Sequence, residues 1–213
     1  MASHEVDETP RSMSCSASSL TILSLPTQAD YQLETVAEGL NFPWSIAFLP
    51  GGDYLVATRP GELLRVSKTG EVSEPFTGTP DALVAGQGGY FDIMLDDNFA
   101  TNQVVYLSFA WGTLDANATR IVKARLSDTG FEDAEVLFTV SPTKGGSAHY
   151  GGKMAQLSDE TIVLSTGDGF DYREASQDKF SQLGKIIRLN KDGSASLDNP
   201  FANGETGNPF VWS

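Results

Sequence analysis

The chain has 213 residues and a formal net charge of −14, from 28 acidic and 14 basic side chains. A surface of that sign repels phosphate backbones and argues against nucleic-acid binding. No run approaches the roughly 18 apolar residues that a membrane-crossing helix needs. Hydrophobic residues make up 40% of the chain, enough for a real core.

Residues 1–12 are polar, and the stretch from Met13 to Ala29 (MSCSASSLTILSLPTQA) has a short apolar centre at Leu20–Leu25, with small residues at Thr27 and Ala29. Residues 1–29 read either as a secretory signal, which points to a periplasmic or secreted protein, or as a disordered leader. The single cysteine, Cys15, lies here, so the remainder holds no internal disulfide and no cysteine-based metal site.

From about residue 30 onward, apolar runs alternate with glycine- and proline-containing turns, the pattern of many short strands. A loose internal repeat of about 45–50 residues is the period of propeller blades. The first unit, near 44–76, reads WSIAFLP, YLVATRP, ELLRVSK and EVSEPF. The second, near 90–140, reads YFDIML, QVVYLSFAW, TRIVKARLS and FEDAEVLFTV. The third, near 150–197, reads YGGKMAQL, TIVLSTG, GKIIRLN and a short strand at SASL. The expected fold is all-β: about three four-stranded antiparallel blades of a β-propeller over residues 30–213. Tyr31–Leu40 precedes the first unit, and a strand there would complete a last blade beyond this chain. Asp96–Phe99 reads as a turn, and Tyr172–Leu183 as a long loop with one helical turn. Asn208–Ser213 resembles the start of a further strand, so the half-ring reads as truncated.

Four loop motifs stand out: Asn41–Ser45, Gly86-Gln87-Gly88-Gly89 and Ser147–Lys153 open the three units, Gly167-Asp168-Gly169 follows the third unit's second strand, and the last three are expected to face the central channel. His149 is one of two histidines, and the other, His4, is in the leader. Flanked by open backbone, it has the chemistry of a general base, and Asp168 is a candidate to fix its tautomer. A lone histidine is ordinarily structural or merely exposed, and the glycine run at 86–89 is ordinarily a tight turn. No Gly-Lys-Ser/Thr phosphate loop and no Gly-x-Ser-x-Gly elbow occurs. Asp92, Asp96 and Asp97 lack calcium-loop spacing. Asn117-Ala-Thr119 matches a glycosylation sequon, a match that often arises by chance.

Taken together, GLNFPWSIAFLPGGDYLVATRPGELLRV, GQGGYFDIMLDDNFATNQVVYLSF, HYGGK, STGDG, SQDKFSQLGKIIRLNKDGS and DNPF, in that order over residues 31–213, resemble the glucose/sorbosone dehydrogenase family, the soluble aldose sugar dehydrogenases that depend on pyrroloquinoline quinone (PQQ). The resemblance implies a six-bladed propeller with PQQ on its axis and calcium beside it. It implies that His149 is the base on the anomeric hydroxyl, that Asp168 supports it, and that Gln87 contacts the cofactor. It extends to Gln177 and Asp178 in a loop near the same face. The reaction implied is oxidation of an aldose at C1 to the lactone, with electrons passing to an external acceptor. Lys153 stands where the family often has arginine, and Ala148 where some members have an acid. The chain stops before the family's Arg-Asn-Pro-Gln stretch, so most cofactor contacts and the calcium ligands are expected outside these residues, and the fragment alone is expected to be inactive. The competing reading is a non-catalytic propeller that binds a ligand or a protein.

Overall fold

The computed structural model describes residues 32–213; the leader, with its signal-like segment, Cys15 and His4, lies outside the described residues. The body, residues 35–213, is built from three consecutive antiparallel sheets. The first holds β1 (Pro43–Phe48), β2 (Tyr54–Thr58) and β3 (Leu63–Val66). The second holds β4 (Tyr90–Leu95), β5 (Val104–Gly112), β6 (Asn117–Leu126) and β7 (Phe131–Thr139). The third holds β8 (Gly151–Gln156), β9 (Ile162–Thr166) and β10 (Ile186–Leu189). Each sheet is a meander in chain order, and the opening strands lie side by side, β1 against β4 and β4 against β8.

Alternation along the middle sheet explains the stacking. On β5, Val105, Leu107 and Phe109 join a core with Leu55, Ala57 and Leu63 of the first sheet. Tyr106 points the other way, into a core with Ile162, Leu164, Ile187 and Leu189 of the third. Successive strand residues face opposite sides. A strand apolar on both sides is therefore the expected product of a sheet sandwiched between two others, and β5 is buried from Val105 to Ala110.

Two sheets fall short of the four strands read from the sequence. Outside β3 the chain forms no full strand: Val72 bridges Val66, and Ser73 N–H and Phe76 N–H donate to Arg65 O and Leu63 O, but the Ser73 hydroxyl takes the Arg65 N–H and Pro75 has no N–H to offer. Outside β10 the edge is divided: Ala195 bridges Leu189, and Val211 bridges Ile187. Asn208–Ser213 therefore does not begin a new sheet; its backbone pairs with Ile186 and Arg188. Residues 35–40 form no strand. Arg173–Ser176 forms one 3₁₀ turn, and the turn at Asp96 leads into a single helical turn, α1 (Phe99–Asn102).

Asp96 fastens the second sheet to the third. Its side chain accepts bonds from Asn98 N–H and Asn102 Nδ2, both at 2.9 Å, from Tyr106 Oη at 3.0 Å and from Lys191 Nζ at 2.9 Å. Burial would raise its pKa, but the bonds from Lys191, Asn102, Asn98 and Tyr106 outweigh that and hold it down to about 2. A carboxylate depressed in the folded state contributes stability that is full above its unfolded pKa and lost as the pH falls through the folded one. Asp96→Asn is expected to cost about 2 kcal/mol at neutral pH and to flatten the loss of stability between about pH 4 and pH 2, as read by urea melts across that range.

Candidate active site

The site is assembled by the loops that open the second and third sheets. Gln87 N–H donates to Ser147 O, and His149 N–H donates to Gln87 Oε1, each at 2.8 Å. The segment after β9 closes on the same loop: Gly167 N–H donates to Tyr150 O at 2.9 Å and Gly169 N–H to His149 O at 3.1 Å. A Cβ at Gly167 would overlap the His149 carbonyl, so the close approach requires glycine. His149 itself adopts φ 52°, a left-handed conformation uncommon outside glycine and typical of constrained sites.

That backbone brings together two side chains 19 residues apart: His149 Nδ1 lies 2.7 Å from Asp168 Oδ1. The same oxygen accepts Phe170 N–H at 2.8 Å. The Phe170 N–H, then the His149 contact, pull the Asp168 pKa below the ordinary carboxylate value. An ionised carboxylate only accepts, so the proton of a neutral imidazole sits on Nδ1 and Nε2 carries the free lone pair. The His149 side chain is 39% exposed, which leaves it open to a substrate.

Gln87 thus lies beside the histidine, with its carbonyl oxygen spent on the His149 backbone. Gln177 and Asp178 follow the 3₁₀ turn and are exposed. Asp178 Oδ1 accepts Phe180 N–H at 2.9 Å, and no hydrogen bond among the described residues joins either side chain to His149, Asp168 or Gln87.

Beside the histidine loop a cleft of about 300 Å³ is lined by Trp44, Arg59, Gln87, Phe91, Tyr150 and Gly151. A second, of about 410 Å³, shares Trp44, Phe91 and Gly151 with it and adds Lys153 and Ser165. Arg59 has no carboxylate partner among the described residues and lies over the Phe42 ring, 4.9 Å from its centre. Below the loop, Lys144 is buried, donates to Asn117 Oδ1 at 3.0 Å and sits 3.8 Å from the Tyr150 ring centre. Desolvation lowers its pKa. Asn117, the sequon residue, is fully buried, and its amide donates to Gly146 O at 2.8 Å. It serves as an internal brace of the histidine loop. Tyr150 lies in the Ser147–Lys153 loop motif, whereas Arg59 and Phe91 were not singled out as site residues by the sequence; only their closeness to the glycine loops could have marked them. No group of three or more His, Cys, Asp or Glu placed to hold a metal occurs among the described residues.

Stacked meanders whose first strands lie side by side, with an imidazole–carboxylate pair on the loops beside them, define part of a β-propeller. The chain belongs to the Glucose / Sorbosone dehydrogenase family, whose model matches residues 40–213. It is 37% identical over 203 residues to the uncharacterized protein slr1608 of Synechocystis, covering 87% of this chain and 49% of that protein. It is 30% identical over 189 residues to the aldose sugar dehydrogenase YliI of Escherichia coli, covering 87% and 51%. Among solved structures, the PQQ-bound aldose sugar dehydrogenase of Streptomyces coelicolor superposes with a TM-score of 0.72 at 33% identity, covering 84% of this chain and 52% of that one. The neighbours are β-propeller sugar dehydrogenases, and the all-β fold is that of a propeller. The chain spans about half the length of the curated relatives it matches. No helix among the described residues is long and apolar enough to cross a membrane.

Proposed function

We propose that the protein carrying this chain is an oxidoreductase that oxidises an aldose at C1 to the lactone with PQQ, and that this chain supplies its general base. The observation that carries the reading is the 2.7 Å contact of His149 Nδ1 with Asp168, which leaves Nε2 unengaged on a loop whose next residues, Tyr150 and Gly151, line a cleft. His149 Nε2 takes the proton of the anomeric hydroxyl, and alkoxide character then weakens the C1–H bond toward loss of hydride. Asp168 holds the tautomer and stabilises the imidazolium that forms. Loss of that proton and that hydride converts the hemiacetal carbon to the lactone carbonyl.

The residues fit the cofactor. A flat, carboxylate-bearing quinone suits a cleft walled by Trp44, Phe91 and Tyr150, with the Arg59 guanidinium and the Gln87 side chain at its edge. PQQ, when bound, supplies the two-electron acceptor, and an external acceptor reoxidises it. Gln177 and Asp178 stand as further cofactor-side candidates. We assign calcium no ligand in this chain. A periplasmic or secreted location rests on the signal-like segment 13–29.

The test is dye reduction by the complete protein, supplied with PQQ and Ca²⁺, across several aldoses. Asp168→Asn is expected to lower the rate about 10–100-fold with little change in melting temperature. Aldose binding without any dye reduction by folded protein would instead mark a non-catalytic binding module.

A further inference from the structure

We propose that Phe170 is a specificity-determining residue whose ring forms one wall of the sugar subsite and stacks on the apolar face of a pyranose. The inference rests on the aldose reading above. Three observations single the residue out. Its ring lies against the imidazole, with centroids 5.1 Å apart at 80°. The residue is 47% exposed although its side chain is wholly apolar. The backbone is left-handed, with φ 71°.

Neither packing nor backbone preference accounts for a phenylalanine here. A ring left half in water gains little from burial, and a left-handed non-glycine residue is strained by roughly 1–2 kcal/mol. The neighbouring structure nevertheless enforces this placement. Asp168 Oδ1 accepts the Phe170 N–H at 2.8 Å, Arg173 Nε donates to Phe170 O at 3.1 Å, and the Arg173 guanidinium lies 5.2 Å from the ring centre. The carboxylate that orients the base thus also fixes the ring, so base and ring keep one relative position.

A substrate whose anomeric hydroxyl reaches the imidazole must lie beside that ring. The face of an aromatic ring is electron-rich and attracts weakly positive C–H groups. A pyranose with equatorial hydroxyls presents C–H groups on both faces, and an axial hydroxyl interrupts only the face on which it stands. The class selected is therefore aldopyranoses that can turn an uninterrupted C–H face to the ring while the anomeric hydroxyl reaches the imidazole.

The experiment uses the complete protein and Phe170→Ala, Phe170→Gly and Phe170→Tyr. Aldose binding is read by saturation-transfer NMR, which needs no turnover, alongside kcat, KM and melting temperature. Alanine and glycine are expected to weaken glucose binding and raise KM about 3–10-fold, and to leave kcat within about twofold. Tyrosine is expected to retain binding. Glycine, free of the left-handed strain, is expected to melt no lower than alanine, so weakened binding cannot be put down to unfolding. Unchanged binding and KM in the alanine and glycine variants overturn the proposal. A fall in kcat at unchanged KM overturns it too, since the ring would then only orient the imidazole. If the wild type binds glucose through Phe170 but never oxidises it, the dehydrogenase reading fails and this one stands; if it binds no aldose, both fail.

Discussion

Replacing His149 with alanine is expected to lower aldose oxidation by about 10²–10⁴-fold, the usual contribution of a positioned general base. The whole effect should fall on turnover. His149 Nδ1 is already engaged by Asp168, and the loop is held by backbone contacts from Gln87, Gly167 and Gly169, none of which needs the imidazole. Melting temperature should therefore move little. His149→Gln, which keeps polarity but no basic lone pair, should be as impaired as alanine. Steady-state dye reduction by the complete protein, beside a thermal melt, checks both points. Full activity in either variant would remove His149 from the chemistry.

Replacing Asp92 with alanine is expected to do the opposite: damage the fold first and activity only through it. Asp92 is 1% exposed on β4, yet its carboxylate meets both of the other opening strands. Ser45 Oγ of β1 donates at 2.5 Å, Lys153 Nζ of β8 at 2.7 Å and Met154 N–H of β8 at 2.9 Å. Removal leaves the buried Met154 N–H without a partner and takes the carboxylate from Lys153. The expected cost is on the order of 3 kcal/mol, or roughly 10 °C in melting temperature for a domain of this size. Asp92→Asn retains an acceptor for Met154 N–H and should lose less. The lysine at 153, where the family often has arginine, fits this geometry: it meets a single carboxylate oxygen, for which a point charge suffices.

Much of the site could be read along the chain, and the misses share a cause. His149 and Asp168 were visible because each sits in a glycine-flanked loop at a blade opening, a local signature. The outer strands were over-read. Glu71–Phe76 alternates like a strand, but Pro75 and the Ser73 hydroxyl break the ladder. Asn208–Ser213 resembled a new strand because its destination, the free edge of β10, is set by the return of the chain. Asn117 spelled a sequon, and only the fold shows that its amide is buried under the histidine loop. Asp92 looked like one of three scattered acids. Its partners lie 47, 61 and 62 residues away, separations at which no periodicity links them.

The sequence by itself determined the class of fold and the chemical types at the centre, because strand alternation and turn residues act over two to four neighbours. Tertiary structure alone decided which of those residues meet: the 2.7 Å imidazole–carboxylate contact, the β4 carboxylate that binds β1 and β8, and the phenylalanine ring held against the imidazole. Such contacts depend on the register between sheets, which is fixed by interdigitating cores rather than by neighbours in the chain.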